Sequence, residues 1–244
     1  MHYTALLALL ATLTVAVTAD QQSFVIEEEF AKVSYSSAVK LTHKQVNFTV
    51  LKPVVVEFCL LPMQAITQRA IQPKLNLKLH FNSVNYGSGS GQQSVTGFPR
   101  GDDPSSYWTI HHGFGETPRR RGDSVPCNAI ITLTHLNTDT RLHSHDNHAS
   151  PISHKQEVSA YAGTDFGDNW QVVCPDKKSG FWLRENPIRL QHIQTKKYLS
   201  SSGDRQFGRP IQGQLEISGA NSAGAGELWV ATEGIYYASN ETKE

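Results

Sequence analysis

Histidine is the residue type in this chain best placed to do chemistry. Four of its 11 copies, His143, His145, His148 and His154, crowd one short tract. If the segment is extended, His143 and His145 share a face, because side chains alternate along a strand. A metal centre, however, needs further ligands converging in a closed geometry. A later copy of the same pattern carries Leu199-Ser200 where the tract carries Leu142-His143. The pattern therefore reads as structural, and no metal is expected. Gly87 to Gly91 has the glycine density of a phosphate loop, yet it neither follows a buried strand nor opens a helix. A flexible hairpin loop is the expectation.

No G-x-S-x-G, H-E-x-x-H or C-x-x-C string occurs, so nothing marks a nucleophile or a catalytic metal. The chain reads as a binding protein without a cofactor, not an enzyme. Arg121-Gly122-Asp123 matches the integrin tripeptide but lies in a charge-rich loop, where a chance match is expected. The sequons Asn47-Phe48-Thr49 and Asn240-Glu241-Thr242 are glycosylation candidates in a secretory compartment, the second in a tail expected to be mobile.

The elements that must position these residues emerge from self-similarity. Ile131-Thr132-Leu133-Thr134-His135 returns as Ile188-Arg189-Leu190-Gln191-His192 and is foreshadowed by Val39-Lys40-Leu41-Thr42-His43. Each copy ends on a tryptophan, Trp108, Trp170 or Trp229. From the first Leu to the Trp is 37 positions in copy two, 39 in copy three and 67 in copy one. Removing residues 46–74 brings copy one into line with its sisters. Each copy holds about four short segments with period-two apolar spacing between Gly, Ser, Asn and Pro turns, which read as strands. One copy cannot bury its own apolar face, so three must share a core. Three copies of four strands is an all-β β-trefoil, whereas a propeller needs at least four blades. The three Trp are then equivalent core residues.

The predicted organisation is a signal peptide at 1–19, repeat one at 31–113 with its insert 46–74, repeat two at 121–177, repeat three at 178–234 and a tail at 235–244. Leu6 to Val17 is apolar but too short to span a bilayer, and small residues follow it, as before a cleavage site. No later stretch reaches the roughly 18 apolar residues of a membrane helix. With 22 basic and 22 acidic side chains, charge offers no argument for nucleic acid or anionic membrane.

These repeats resemble the MIR domain, shared by protein O-mannosyltransferases, inositol trisphosphate receptors and stromal cell-derived factor 2. They resemble the stromal cell-derived factor 2 family above all. The residues that carry this are the run from Tyr86 to Gly97 (YGSGSGQQSVTG), Arg141-Leu142-His143-Ser144-His145, Gln156-Glu157-Val158-Ser159-Ala160 and Phe207-Gly208-Arg209-Pro210-Ile211. The resemblance implies a small protein of the endoplasmic reticulum lumen that works with the luminal Hsp70 and a J-domain co-chaperone to hold misfolded clients. A glycan-binding, lectin-like trefoil is the alternative, on fold analogy alone. Binding candidates are the positions that recur between copies: His80, Gln93, His143, His145, Gln156 and Glu157.

Three departures from the family stand out. The chain ends Asn240-Glu241-Thr242-Lys243-Glu244 instead of a His-Asp-Glu-Leu-like retrieval signal, so residence in the lumen gives way to secretion if that end is genuine. Leu79-His80-Phe81-Asn82 replaces a Leu-His-Ser-His string, and Tyr35 stands where relatives have a cysteine. Cys127 precedes the first strand of repeat two and Cys174 follows its last. In an oxidising lumen they should pair, the rival being two buried thiols, with Cys59 left over inside the insert. The insert carries an apolar, β-prone window at Val54 to Leu61 that a surface loop should avoid. Because Val codons begin with GT and one Lys codon ends with AG, it reads as an intron translated in frame, the alternative being a genuine loop extension.

Overall fold

The computed structural model describes residues 26–44, 77–99, 103–176 and 178–240. The predicted signal peptide, the insert 46–74, Asn47 and Cys59 lie outside them. Among the described residues there are 12 strands: β1 (Ala38–His43), β2 (Lys78–Asn85), β3 (Gln93–Phe98), β4 (Tyr107–His112), β5 (Ile130–His135), β6 (Arg141–Ala149), β7 (Gln156–Tyr161), β8 (Trp170–Val173), β9 (Pro187–His192), β10 (Tyr198–Gln206), β11 (Leu215–Ala220) and β12 (Trp229–Ile235).

Six of them close a ring. β1 pairs with β4, β4 with β5, β5 with β8, β8 with β9, β9 with β12, and β12 with β1, every pair antiparallel. A closed ring leaves no edge strand to protect. The other six form the hairpins β2–β3, β6–β7 and β10–β11, which cap one end and meet through β3–β7, β7–β11 and β11–β3. This is the three-fold β-trefoil.

Its core follows from the period-two pattern. Val39 and Leu41, Ile131 and Leu133, Ile188 and Leu190 are all buried inside the barrel. Trp108, Trp170 and Trp229 are fully buried, and each indole Nε1–H donates to the carbonyl of the Leu that opens its own hairpin: Leu79 at 2.9 Å, Leu142 at 3.0 Å and Leu199 at 2.9 Å. The end of the barrel away from the hairpins is closed by a triangle of backbone hydrogen bonds. Val33 N–H reaches Trp182 O, Val125 N–H reaches Val33 O, and Trp182 N–H reaches Val125 O, each at 2.9 Å. Trp182, fully buried, fills this end where the sister positions carry only Val33 and Val125.

The interruption of copy one sits in the turn between β1 and β2. His43 N–H reaches Leu77 O at 2.8 Å, as His135 N–H reaches Thr140 O and His192 N–H reaches Lys197 O, both at 2.7 Å. Four residues lie between the paired positions in repeats two and three, and 33 lie between His43 and Leu77. The extra 29 therefore enter at a hairpin turn, where chain ends already meet and loop closure costs little.

Two expectations are corrected. Residues 236–240 do not form a free tail. β12 itself runs to Ile235, Tyr236 Oη donates to Thr232 O at 2.6 Å, the Arg184 guanidinium lies 3.8 Å over the Tyr236 ring, and Ser239 N–H reaches Glu29 O at 2.9 Å. The loop after Tyr86 is not a slack hairpin either, because Ser90 bonds to the Glu157 carboxylate of the next repeat through its N–H at 3.3 Å and also through its hydroxyl.

Candidate functional site

The densest polar chemistry lies in three related pockets, one per repeat, where the first hairpin strand passes the turn ahead of the Trp strand. In repeat one the turn Pro104–Ser106 is capped by Asp103, which accepts from Ser105 N–H at 3.1 Å. His80 comes from β2, stacks on Phe98 at 4.6 Å, and places Nδ1 2.5 Å from Asp103 Oδ2. Burial alone would raise the Asp103 carboxyl, but hydrogen bonds from Ser106 and His80 outweigh it and hold it below the ordinary carboxylate range.

In repeat two the turn Phe166–Asp168 carries a full capping box: Asp165 accepts from Gly167 N–H at 2.6 Å, and Asp168 accepts from Asp165 N–H at 2.9 Å. Asp168, fully buried, also takes His143 Nδ1 at 2.7 Å. His145 packs edge-on against His143 with centroids 4.5 Å apart, and its Nε2 stands 3.9 Å from Asp165 Oδ2. In repeat three Ser200 takes the place of the imidazole, donating to Glu227 Oε1 at 2.8 Å, while Glu227 Oε2 accepts from Gly224 N–H at 2.6 Å. The same frame thus holds His–Asp, His–His–Asp–Asp and Ser–Glu in turn.

The candidates singled out in the sequence divide accordingly. His143 and His145 meet as expected, and His80 occupies the sister pocket. Gln93 and Gln156 stand at the far ends of their hairpins, paired opposite Asn85 and Ala149. Glu157, expected as a binding residue, is only 2 % exposed and spends its carboxylate on Ser90. Glu216, its counterpart in repeat three, accepts from Ile152 N–H at 2.8 Å and Ser153 N–H at 3.1 Å. Both buried carboxylates anchor the hairpin tip of the preceding repeat, which is a structural task.

Sequence reasoning missed Asp103, Asp165, Asp168 and Glu227. The available signal was a polar residue two positions ahead of each repeat's Trp, with an aspartate three positions before it in repeats one and two, as in Asp165-Phe166-Gly167-Asp168. Gln156 does line a surface cleft of about 550 Å³ together with Asp146, His148, His154, Lys197 and Asn221. Its Nε2–H donates to Ser144 Oγ at 2.7 Å and its buried Oε1 has no hydrogen-bond partner.

Cys127 and Cys174 are joined by a disulfide with Cα atoms 5.7 Å apart, and Tyr35 is buried at the matching position of repeat one. The Arg121-Gly122-Asp123 turn is covered by the chain end: Asn240 Nδ2 donates to Arg121 O at 2.7 Å and to Asp123 Oδ1 at 3.0 Å. These bonds and Arg120 N–H hold the Asp123 carboxyl below its ordinary range.

Compared with known proteins, residues 79–186 match the MIR domain. Human stromal cell-derived factor 2 is 42 % identical over 176 residues, covering 71 % of this chain and 81 % of the relative. The chain belongs to the stromal cell-derived factor 2 family. The stromal cell-derived factor 2-like protein of Arabidopsis thaliana is 36 % identical over 220 residues, 89 % of this chain and 86 % of that one. The crystal structure of the SDF2-like protein from Arabidopsis thaliana superposes with a TM-score of 0.70 at 37 % identity, over 86 % of this chain and 99 % of that one. Membership in the stromal cell-derived factor 2 family therefore extends to the trefoil as a whole.

Proposed function

We propose that this chain is a non-catalytic binding subunit of the endoplasmic reticulum lumen, which joins a J-domain co-chaperone and Hsp70 in holding misfolded proteins. The observation that carries this reading is family likeness along nearly the whole trefoil, with 89 % of the chain aligned to one relative. The Cys127–Cys174 disulfide supports an oxidising compartment. The polar pockets support binding over turnover, since Asp103, Asp168 and Glu227 are committed to side chains and turns of their own repeat. Among the described residues no helix is long and apolar enough to cross a membrane.

The lectin reading finds less support. The cleft beside Gln156 presents the imidazoles of His148 and His154 but no Trp, Tyr or Phe platform for a sugar face. The deciding experiment is co-purification with a J-domain co-chaperone under lumen-like conditions, for the full chain and for a variant lacking residues 46–74. Retention of the co-chaperone by either form is the expected result. Failure of both, with selective signal on a glycan array, makes the protein a lectin instead.

A further inference from the structure

The pocket of repeat two holds more ligating groups than either of its sisters. One carboxylate suffices to hold His80 in repeat one and Ser200 in repeat three. In repeat two Asp168 already does that for His143, yet Asp165 adds a second carboxylate and His145 a second imidazole. The sisters of His145 are Asn82 and Ser202, neither a comparable ligand.

The geometry is that of a cation site. One donor atom from each of His143, His145 and Asp165 lies within 4.8 Å of the others. Asp165 Oδ2 stands 3.9 Å from His145 Nε2, too far for a hydrogen bond. A tetrahedral ion with bonds of about 2.0–2.1 Å holds its ligand atoms roughly 3.3 Å apart, so side-chain rotations that draw the three together close the site. Asp168, engaging His143 Nδ1, leaves the Nε2 lone pair for the ion, the carboxylate–histidine–metal arrangement that fixes a ligating imidazole. Burial is graded suitably, from a His143 side chain 3 % exposed to His145 at 36 % and Asp165 at 42 %, so an ion can enter from solvent. A Cβ at Gly167 would lie 2.6 Å from His143 Cε1 and 2.9 Å from His145 Cε1, so only glycine lets the turn approach both rings.

We propose that His143, His145 and Asp165 bind one divalent transition-metal ion of the Zn²⁺ class, oriented by Asp168 and with a fourth position open to water or to a partner's side chain. Two imidazoles with one carboxylate favour such an ion over Ca²⁺ or Mg²⁺, which take all-oxygen shells. The proposal stands apart from the chaperone reading.

The test is titration of the metal-free full chain with Co²⁺ near neutral pH, followed by displacement with Zn²⁺. Expected are one equivalent bound, a visible absorption band of low-coordinate Co²⁺, and loss of that band as Zn²⁺ is added. His145→Asn installs the residue that repeat one carries there and should weaken binding at least about tenfold. Asp165→Asn, which keeps a capping oxygen, should act in the same direction, and His148→Asn should change nothing. A wild-type chain that binds no stoichiometric Co²⁺, or a band that survives both His145→Asn and Asp165→Asn in folded protein, overturns the proposal.

Discussion

His135, at the end of the first strand of repeat two, lies edge-on to Trp108 of repeat one with ring centroids 5.4 Å apart, while Phe81 stacks on it at 4.4 Å. The relation recurs around the barrel, with His192 against Trp170 at 5.0 Å and His43 against Trp229 at 5.1 Å. Burial lowers all three imidazoles, His135 and His192 to about 4. The unfolded chain, with histidine near 6.5, then binds more protons than the folded one. Stability is complete above pH about 6.5 and is lost as pH falls towards 4, by up to roughly 3 kcal/mol for each of His135 and His192. Urea midpoints measured between pH 7 and 4.5 should fall steadily, a window in which ordinary carboxylates contribute little. A flat profile there contradicts the buried neutral state of these rings.

Trp170→Ala empties a fully buried site and orphans the Leu142 carbonyl that the indole satisfies. The expected cost is about 3–5 kcal/mol, with a melting temperature lowered accordingly. Trp182→Val should cost less, because both sister positions already carry valine. Equal melting of Trp170→Ala and wild type would mean that the three Trp are not equivalent core residues.

The Cys127–Cys174 bond spans 47 positions and closes a loop around the four strands of repeat two, β5 to β8. Replacing both cysteines with alanine should cost about 2–4 kcal/mol, read as a lower denaturant midpoint without loss of the β-sheet signal. An unchanged midpoint would leave the bond without a stabilising role.

Deleting residues 46–74 leaves four residues between His43 and Leu77, the length found in both sister turns. The shortened chain should fold to the same trefoil with an equal or higher melting temperature. Collapse of the fold would make the segment integral. Sequencing the transcript separates a retained intron from a genuine extension, a predominant message encoding the whole segment favouring the latter.

Much of this architecture was legible because it repeats. Trp108, Trp170 and Trp229 recur at matched distances from a Leu, and recurrence survives even the 29-residue interruption. The barrel's lower closure was not legible, since Val33 and Val125 are matched by Trp182 in the third repeat and all three act through backbone hydrogen bonds. The site was half legible. Alternation put His143 and His145 on one face, but their acidic partners arrive from a turn 20 to 25 residues later. Glu157 misled for the complementary reason: it recurs as Glu216 because hairpin tips need anchoring, and recurrence does not separate an anchor from a binding surface. The tail was expected to be mobile, yet within residues 236–240 Tyr236 and Asn240 find partners on Arg184 and the turn at Gly122.

Pairing β1 with β12 joins residues such as His43 and Trp229, 186 positions apart in the chain. During vectorial synthesis the first strand of the barrel therefore waits for its neighbour until repeat three has been translated. A nascent chain that stops short of repeat three carries β1 and β8 as raw edges, open to pairing with any extended segment nearby. The barrel cannot mature in instalments, and truncated products of this reading frame are expected to surface as aggregates or proteolytic substrates instead of smaller working versions of the protein.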